Sequence, residues 1–94
     1  MEDIKLDSAG LSEDRLLGGR VRFRQPVSGY RVASDSVLLA SAVPAIPGSR
    51  VLDLGAGVGA ASLCLAVRVP GCQIVAVELQ PELADIAAYN VGLN

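Results

Sequence analysis

Residues 51–60 read VLDLGAGVGA, a short apolar run that ends in three glycines within five residues, Gly55, Gly57 and Gly59. A strand that runs into a glycine-rich turn and then a helix opens a mononucleotide-binding βαβ unit. Gly55 and Gly57 permit dihedral angles that a side chain would forbid. They let a ligand approach the backbone closely, and the next helix offers N–H groups at its start. The flanking residues supply the elements this requires. RVLDL (50–54) is the strand, and AASLCLAVRV (60–69) is apolar on nearly every face, as befits a helix packed on a sheet, until Pro70-Gly71 ends it. QIVAVEL (73–79) is a continuous apolar, β-branched run, the pattern of a strand buried on both faces of a parallel sheet. Pro81 suits the first turn of a further helix, in which Leu83, Ile86, Ala87 and Val91 recur at helical spacing.

Working back from the loop, LSEDRLLGGRVRFRQP (11–26) places Gly18-Gly19 between two short runs, which predicts a β-hairpin. In its second strand Val21 and Phe23 face one side and Arg20, Arg22 and Arg24 the other, because strand side chains alternate. Pro26 and Gly29 break that strand. Ser34 or Asp35 is placed to cap a helix running to about Val43, and Pro44, Pro47 and Gly48 terminate it. Asn90 and Asn94 are expected to satisfy helix-end groups, Tyr89 to pack. The order hairpin, helix, β, α, β, α predicts an α/β chain with an incomplete parallel sheet. Residues 1–10 read as a flexible lead-in, 11–48 as the hairpin and its helix, and 49–94 as the first two βα units of a cofactor-binding domain.

At 94 residues the chain is one domain at most, 51% hydrophobic with only three aromatic residues, so Ala, Val and Leu build the interior. The net charge of −2 hides an uneven distribution. Residues 1–14 carry five acids against Lys5, residues 15–50 carry six arginines against Asp35, and residues 51–94 carry four acids against Arg68. Two cysteines, Cys64 and Cys72, without a CxxC pair or any histidine, suggest neither zinc nor a redox dithiol; both read as small apolar residues. No metal is expected. The start MEDIKLDSAG lacks the apolar core of a signal peptide and no stretch approaches a membrane span, so a cytoplasmic location with no membrane partner is the expectation.

GAGVGA also fits the dinucleotide fingerprint, so the ligand is decided by context. Asp53 puts a carboxylate two residues before the first glycine, at the end of an otherwise apolar strand. It favours a ligand with a cationic ammonium and sits poorly beside a dianionic pyrophosphate. Glu78, 23 residues after Gly55 and at the end of the next strand, can accept hydrogen bonds from both hydroxyls of a ribose, in S-adenosylmethionine or NAD alike.

Taken together, VLDLGAGVGAASLCLAVRVPG, VAVELQPELADIAAYNVGLN and the upstream QPVSGYRVASDSVLLASAVP resemble the small-domain class of S-adenosylmethionine-dependent methyltransferases. Within it, the resemblance is closest to bacterial enzymes that methylate N6 of an adenine beside the anticodon of a valine tRNA. It implies a Rossmann-like fold, S-adenosylmethionine as cofactor and structured RNA as partner. It also implies site roles: Asp53, Gly55, Ala56, Gly57 and Gly59 surround the methionine end and ribose, Glu78 binds the ribose hydroxyls and Leu79 packs on the adenine. The segment from Gln25 to Asp35 walls the pocket, with Tyr30 and Arg31 near the methionine. Arg20, Arg22 and Arg24 are candidate phosphate contacts.

The Asn/Asp-Pro-Pro-Tyr loop by which such families hold an acceptor nitrogen is absent from these 94 residues, so the chain resembles about the first third of such an enzyme and no side chain takes a catalytic role. By itself the fragment is expected to be inactive. Other acceptors stay open, a protein glutamine amide or an rRNA guanine. An NAD-dependent oxidoreductase is disfavoured by Asp53, and a non-catalytic binding module remains an alternative. A β-branched strand such as QIVAVEL, left at a sheet edge, predicts self-association.

Overall fold

The structure is a computed structural model that describes residues 10–29 and 31–94. The flexible lead-in predicted over residues 1–10 thus falls, Gly10 excepted, outside the described residues, and so does Tyr30.

Strands β1 (Leu11–Leu16) and β2 (Val21–Pro26) form an antiparallel hairpin, paired from Leu16↔Val21 to Leu11↔Pro26. A single tight turn over Leu17–Gly19 joins them, with positive φ at Leu17 (55°), Gly18 (64°) and Gly19 (90°). Three left-handed residues in a row explain why two glycines stand here. Along β2 the alternation is as expected: Val21, Phe23 and Gln25 are buried, Arg22 and Arg24 point out. Gln25 is a polar member of the inward row, and its amide is satisfied there. Its Nε2 donates to Asp14 at 2.9 Å and its Oε1 accepts the Val32 N–H at 2.7 Å.

Helix α1 spans Ser34–Ala42, and its N-cap is Ala33, without a side-chain cap. The expectation that Ser34 or Asp35 caps it is therefore corrected. Both lie one or two residues inside the first turn, where Asp35 acts through the helix dipole instead. Its other end is held by a residue on α2 (Ala60–Arg68): Arg68 Nε donates to the Ala40 carbonyl at 3.1 Å and Nη2 to that of Val43.

Strands β3 (Arg50–Leu54) and β4 (Gln73–Val77) pair in parallel, from Arg50↔Gln73 to Leu54↔Val77, and α3 (Pro81–Leu93) follows. The order of elements is that of a partial Rossmann-like methyltransferase fold. The core joins the hairpin to α1 and α2: Val21, Phe23, Ala40, Val58, Leu63, Cys64, Leu65 and Val69 are buried, with Val51, Ile74 and Leu83 packed against them. Cys64 is buried as expected and burial pushes its thiol up; Cys72 is half-buried.

Two expectations fail here. QIVAVEL is not covered on both faces. Leu52, Leu54, Val75 and Val77 share one face of the parallel pair and are 58%, 72%, 62% and 46% exposed. No described element packs on that face. In α3 the predicted stripe included Val91, yet Val91 is 64% exposed, and Asn90, one position earlier, is fully buried. The buried face of α3 is turned towards β2 and the glycine loop, where a polar residue has partners.

Candidate cofactor site

β3 delivers its last residues, Asp53 and Leu54, to the glycine turn, and the turn folds back over the end of β4. Gly55 and Ala56 both donate their N–H to the Val77 carbonyl, at 2.8 and 3.0 Å. Gly55 and Gly57 have φ of 71° and 59°, and a Cβ built on either would meet no atom within 4 Å. The bare side of the loop opens into a cleft of about 510 Å³, lined among others by Asp53, Gly55, Ala56, Gly57, Asp35, Gln25 and Leu83. This volume lies in the range of roughly 300–1,000 Å³ usual for small-molecule sites.

Both sequence-selected carboxylates tie the loop down. Asp53 Oδ2 accepts from Ser62 Oγ at 2.6 Å, joining the end of β3 to the first turn of α2. Glu78 Oε1 accepts the Gly57 N–H at 2.8 Å and Oε2 the Gln80 N–H at 2.9 Å. The Gln80 and Gly57 amides, with the smallest share from Leu79, outweigh desolvation and hold the Glu78 carboxyl below the usual glutamate range.

This arrangement tests the choice of ligand. The N–H groups of Gly55, Ala56 and Gly57, which a pyrophosphate would need, are occupied by the Val77 carbonyl and the Glu78 carboxylate. Two further carboxylates, Asp35 and Asp53, line the cleft. The carboxylates that line the cleft suit a ligand carrying a cation and oppose a dianion, while Glu78 lines a separate hollow between the turn and α3, with Ala56, Gly59, Ala84 and Ala87. Among the described residues no group of three His, Cys, Asp or Glu is placed to hold a metal ion.

The other residues singled out in the sequence lie as follows. Gly59 is the N-cap of α2 with φ 91°, pressed against α3: a Cβ there would stand 3.5 Å from the Ala87 Cβ. Leu79 projects beside Glu78, 93% exposed. Arg31 turns to the hairpin and not to the cleft. Its Nη1 donates to the Pro26 carbonyl at 2.7 Å, and its Nη2 lies 3.3 Å from both Ser12 Oγ and Asp14 Oδ2. Arg20 precedes β2, its N–H bonded to the Leu17 carbonyl. Arg22 pairs with Glu13 at 3.0 Å, and Arg24 lies 3.9 Å from the same carboxylate with its guanidinium 4.6 Å from the centre of the Tyr89 ring.

The two asparagines expected at the end of α3 lie against β2, and Asn90 also against the glycine turn. Asn94 meets one helix-end group as predicted, donating to the Asn90 carbonyl at 2.8 Å, but it also bonds Arg22 of β2. The helix-end role predicted for Asn90 is corrected: its amide leaves the helix and contacts Arg24 and Val58. Their only sequence signal is an Asn pair four residues apart on a helix. No helix of the described residues is long and apolar enough to cross a membrane.

Two curated relatives, the tRNA1(Val) (adenine(37)-N6)-methyltransferases of Yersinia pestis (strain Pestoides F) and Yersinia pseudotuberculosis serotype O:1b (strain IP 31758), are each 40% identical to this chain over 85 residues. The matches cover 84% of this chain and 34% of each relative, so the chain spans about a third of the length of the curated relatives it matches. Residues 23–93, from β2 to the end of α3, match a methyltransferase family, and the chain belongs to that family, protein-L-isoaspartate(D-aspartate) O-methyltransferase (PCMT).

Proposed function

We propose that this chain forms the cofactor-binding part of an S-adenosylmethionine-dependent methyltransferase acting on a base nitrogen of structured RNA, N6 of an adenine in tRNA. One observation carries the cofactor: Glu78, just past the end of β4, grips a glycine turn in which the N–H groups of Gly55, Ala56 and Gly57 are already bonded within the protein, and Asp53 near the end of β3 braces the helix that follows. In this reading the ammonium of the methionine end meets Asp53 or Asp35. The remaining lone pairs of the Glu78 carboxylate accept from the ribose hydroxyls while the Gly57 and Gln80 amides stay bonded to it, and the adenine covers Leu79. The bound cofactor supplies an electrophilic methyl group. The activity named for the Yersinia relatives supports the tRNA acceptor, and Arg20, Arg22 and Arg24 would contact phosphates. Such work lies in the cytoplasm.

Calorimetric titration of the chain with S-adenosylhomocysteine and, separately, NADH tests the cofactor. Saturable binding of the first that Glu78→Ala weakens is the expected result; binding of NADH alone would overturn the reading. Filter binding of unmodified tRNA across a salt series tests the acceptor. Substituting the three arginines by Ala should lower the log–log salt slope by about 0.9 for every phosphate that they neutralise. The family description favours a second acceptor, an isoaspartyl carboxylate in protein. Binding of an isoaspartyl peptide with no tRNA binding would select it.

A further inference from the structure

The fully buried side chain of Asn90 stands where three parts of the molecule meet. Its Oδ1 accepts the Arg24 N–H of β2 at 2.7 Å, and its Nδ2 donates both to the Arg24 carbonyl at 3.0 Å and to the Val58 carbonyl at 2.8 Å. Val58 lies within the glycine turn, between Gly57 and Gly59. Four residues on, Asn94 repeats the first half of this pattern: its Oδ1 accepts the Arg22 N–H at 2.9 Å and its Nδ2 donates to the Arg22 carbonyl at 2.6 Å. Four helical residues rise about 6.0 Å, and two strand residues advance about 6.6–6.8 Å. Two asparagines at i and i+4 can therefore pair with alternate residues of a strand, serving the edge of β2 as a neighbouring strand would. Among the described residues the hydrogen bonds given for Asn94 reach Arg22 and Asn90, whereas Asn90 bonds both the hairpin edge and the turn, beside the apolar core that Val58 shares with Val21 and Phe23.

We propose that Asn90 is a positioning residue for the cofactor loop, which it holds through the Val58 carbonyl in register with β2. Both of its N–H donors and its acceptor are engaged, so the Val58 carbonyl cannot move without leaving a buried amide unpaired. The hairpin that presents Arg22 and Arg24 and the turn that lines the cleft thus move together. An event on β2, such as RNA docking, is transmitted to the cofactor cleft through Asn90, alongside the core that Val58 shares with β2. The consequence for the cofactor rests on the reading of the turn as the S-adenosylmethionine site; the mechanical link does not.

The test compares Asn90→Asp with Asn94→Ala in the whole chain. Asn90→Asp replaces the Nδ2 donor by an oxygen set against the Val58 and Arg24 carbonyls. Amide exchange of Gly55, Ala56, Gly57 and Gly59, followed by NMR, should accelerate by about ten-fold or more, the scale of one buried polar group left without a partner. Affinity for S-adenosylhomocysteine should fall by a similar factor. Asn94→Ala should accelerate exchange at Arg22 and leave the loop and the affinity within about two-fold. Unchanged loop exchange in Asn90→Asp, or an equal change in Asn94→Ala, would overturn the proposal. Should Asn90→Asp fail to fold, exchange of the unaltered chain in mild denaturant decides. A single opening shared by Arg24 and the loop supports the link, and separate openings sink it. If the unaltered chain does not bind S-adenosylhomocysteine while the exchange results hold, the cofactor reading fails and the link stands.

Discussion

Two glycines of one turn serve different ends, and substitution separates them. Gly57 has φ 59°, inside the left-handed region that other residues visit at a cost, and nothing lies within 4 Å of a Cβ built there. Gly57→Ala should cost about 1 kcal/mol of stability, while its methyl group intrudes on the cleft and weakens S-adenosylhomocysteine binding. Gly59 has φ 91°, beyond that region, and a Cβ there would be in ordinary contact with Ala87, 3.5 Å away. Strain, not collision, sets its cost, towards the upper end of about 1–3 kcal/mol. Thermal unfolding should rank Gly59→Ala below Gly57→Ala, with the ligand-affinity defect larger in the latter. Asp14 supplies a second residue-scale expectation. Partial burial alone would raise its carboxyl, but hydrogen bonds from Gln25 and Ser12 and the charge of Arg31 outweigh that and hold it below the ordinary value of 3.8. A carboxyl lowered on folding contributes stability that is complete above its unfolded value and lost as pH falls through the folded one. Acid titration of stability below pH 3.8 should therefore be shallower in Asp14→Asn, by about 1 kcal/mol or less because the group is solvent-screened.

Between elements, α1 depends on α2 for its C-terminal end. Arg68 donates to the carbonyls of Ala40 and Val43, groups that a helix end leaves without intrahelical partners. Its positive charge also faces the negative end of the helix dipole. Arg68→Met keeps the aliphatic stem and removes the donors, so it should destabilise by about 1–2 kcal/mol. Arg68→Lys, which cannot fork between two carbonyls, should recover only part of it; urea midpoints measure both. Such links mark the limit of what the sequence makes legible. The strands, the helices and their order follow from periodicity and from Gly and Pro punctuation, because those signals are local. Glu78 is legible for the same reason: the end of an apolar run locates it. Asn90 is not, since an asparagine near the end of a helix reads as serving the helix-end groups until its partner, 66 residues earlier in the chain, is known to lie alongside. Ala33 displaces Ser34 and Asp35 as N-cap by a shift of one or two residues, which composition alone does not resolve. Arg68 reads as one cation in an apolar helix, and nothing in its neighbourhood names α1.

On the scale of the molecule, the parallel pair β3–β4 is built for two covered faces and has one. The register sets Leu52 opposite Val75 and Leu54 opposite Val77, so four apolar side chains lie together on the open side. They are flanked by backbone that no described strand pairs, since the sheet has two strands. A contiguous apolar face with strand edges beside it is the usual route to association between chains. The 94-residue chain by itself should consequently sediment as concentration-dependent oligomers at micromolar concentration and bind a dye that reports exposed apolar surface. Leu54→Lys with Val77→Lys places two like charges opposite each other on that face, which two associating copies would have to desolvate. The pair should shift sedimentation to the monomer. Because both positions are already exposed, the far-ultraviolet circular dichroism should stay unchanged. A stable monomer of the unaltered chain at the same concentration would show that the open face is tolerated in water. Oligomers that survive the double substitution would move the contact to another surface, and the first to examine would be the edge of β4, whose backbone groups the lysines leave intact.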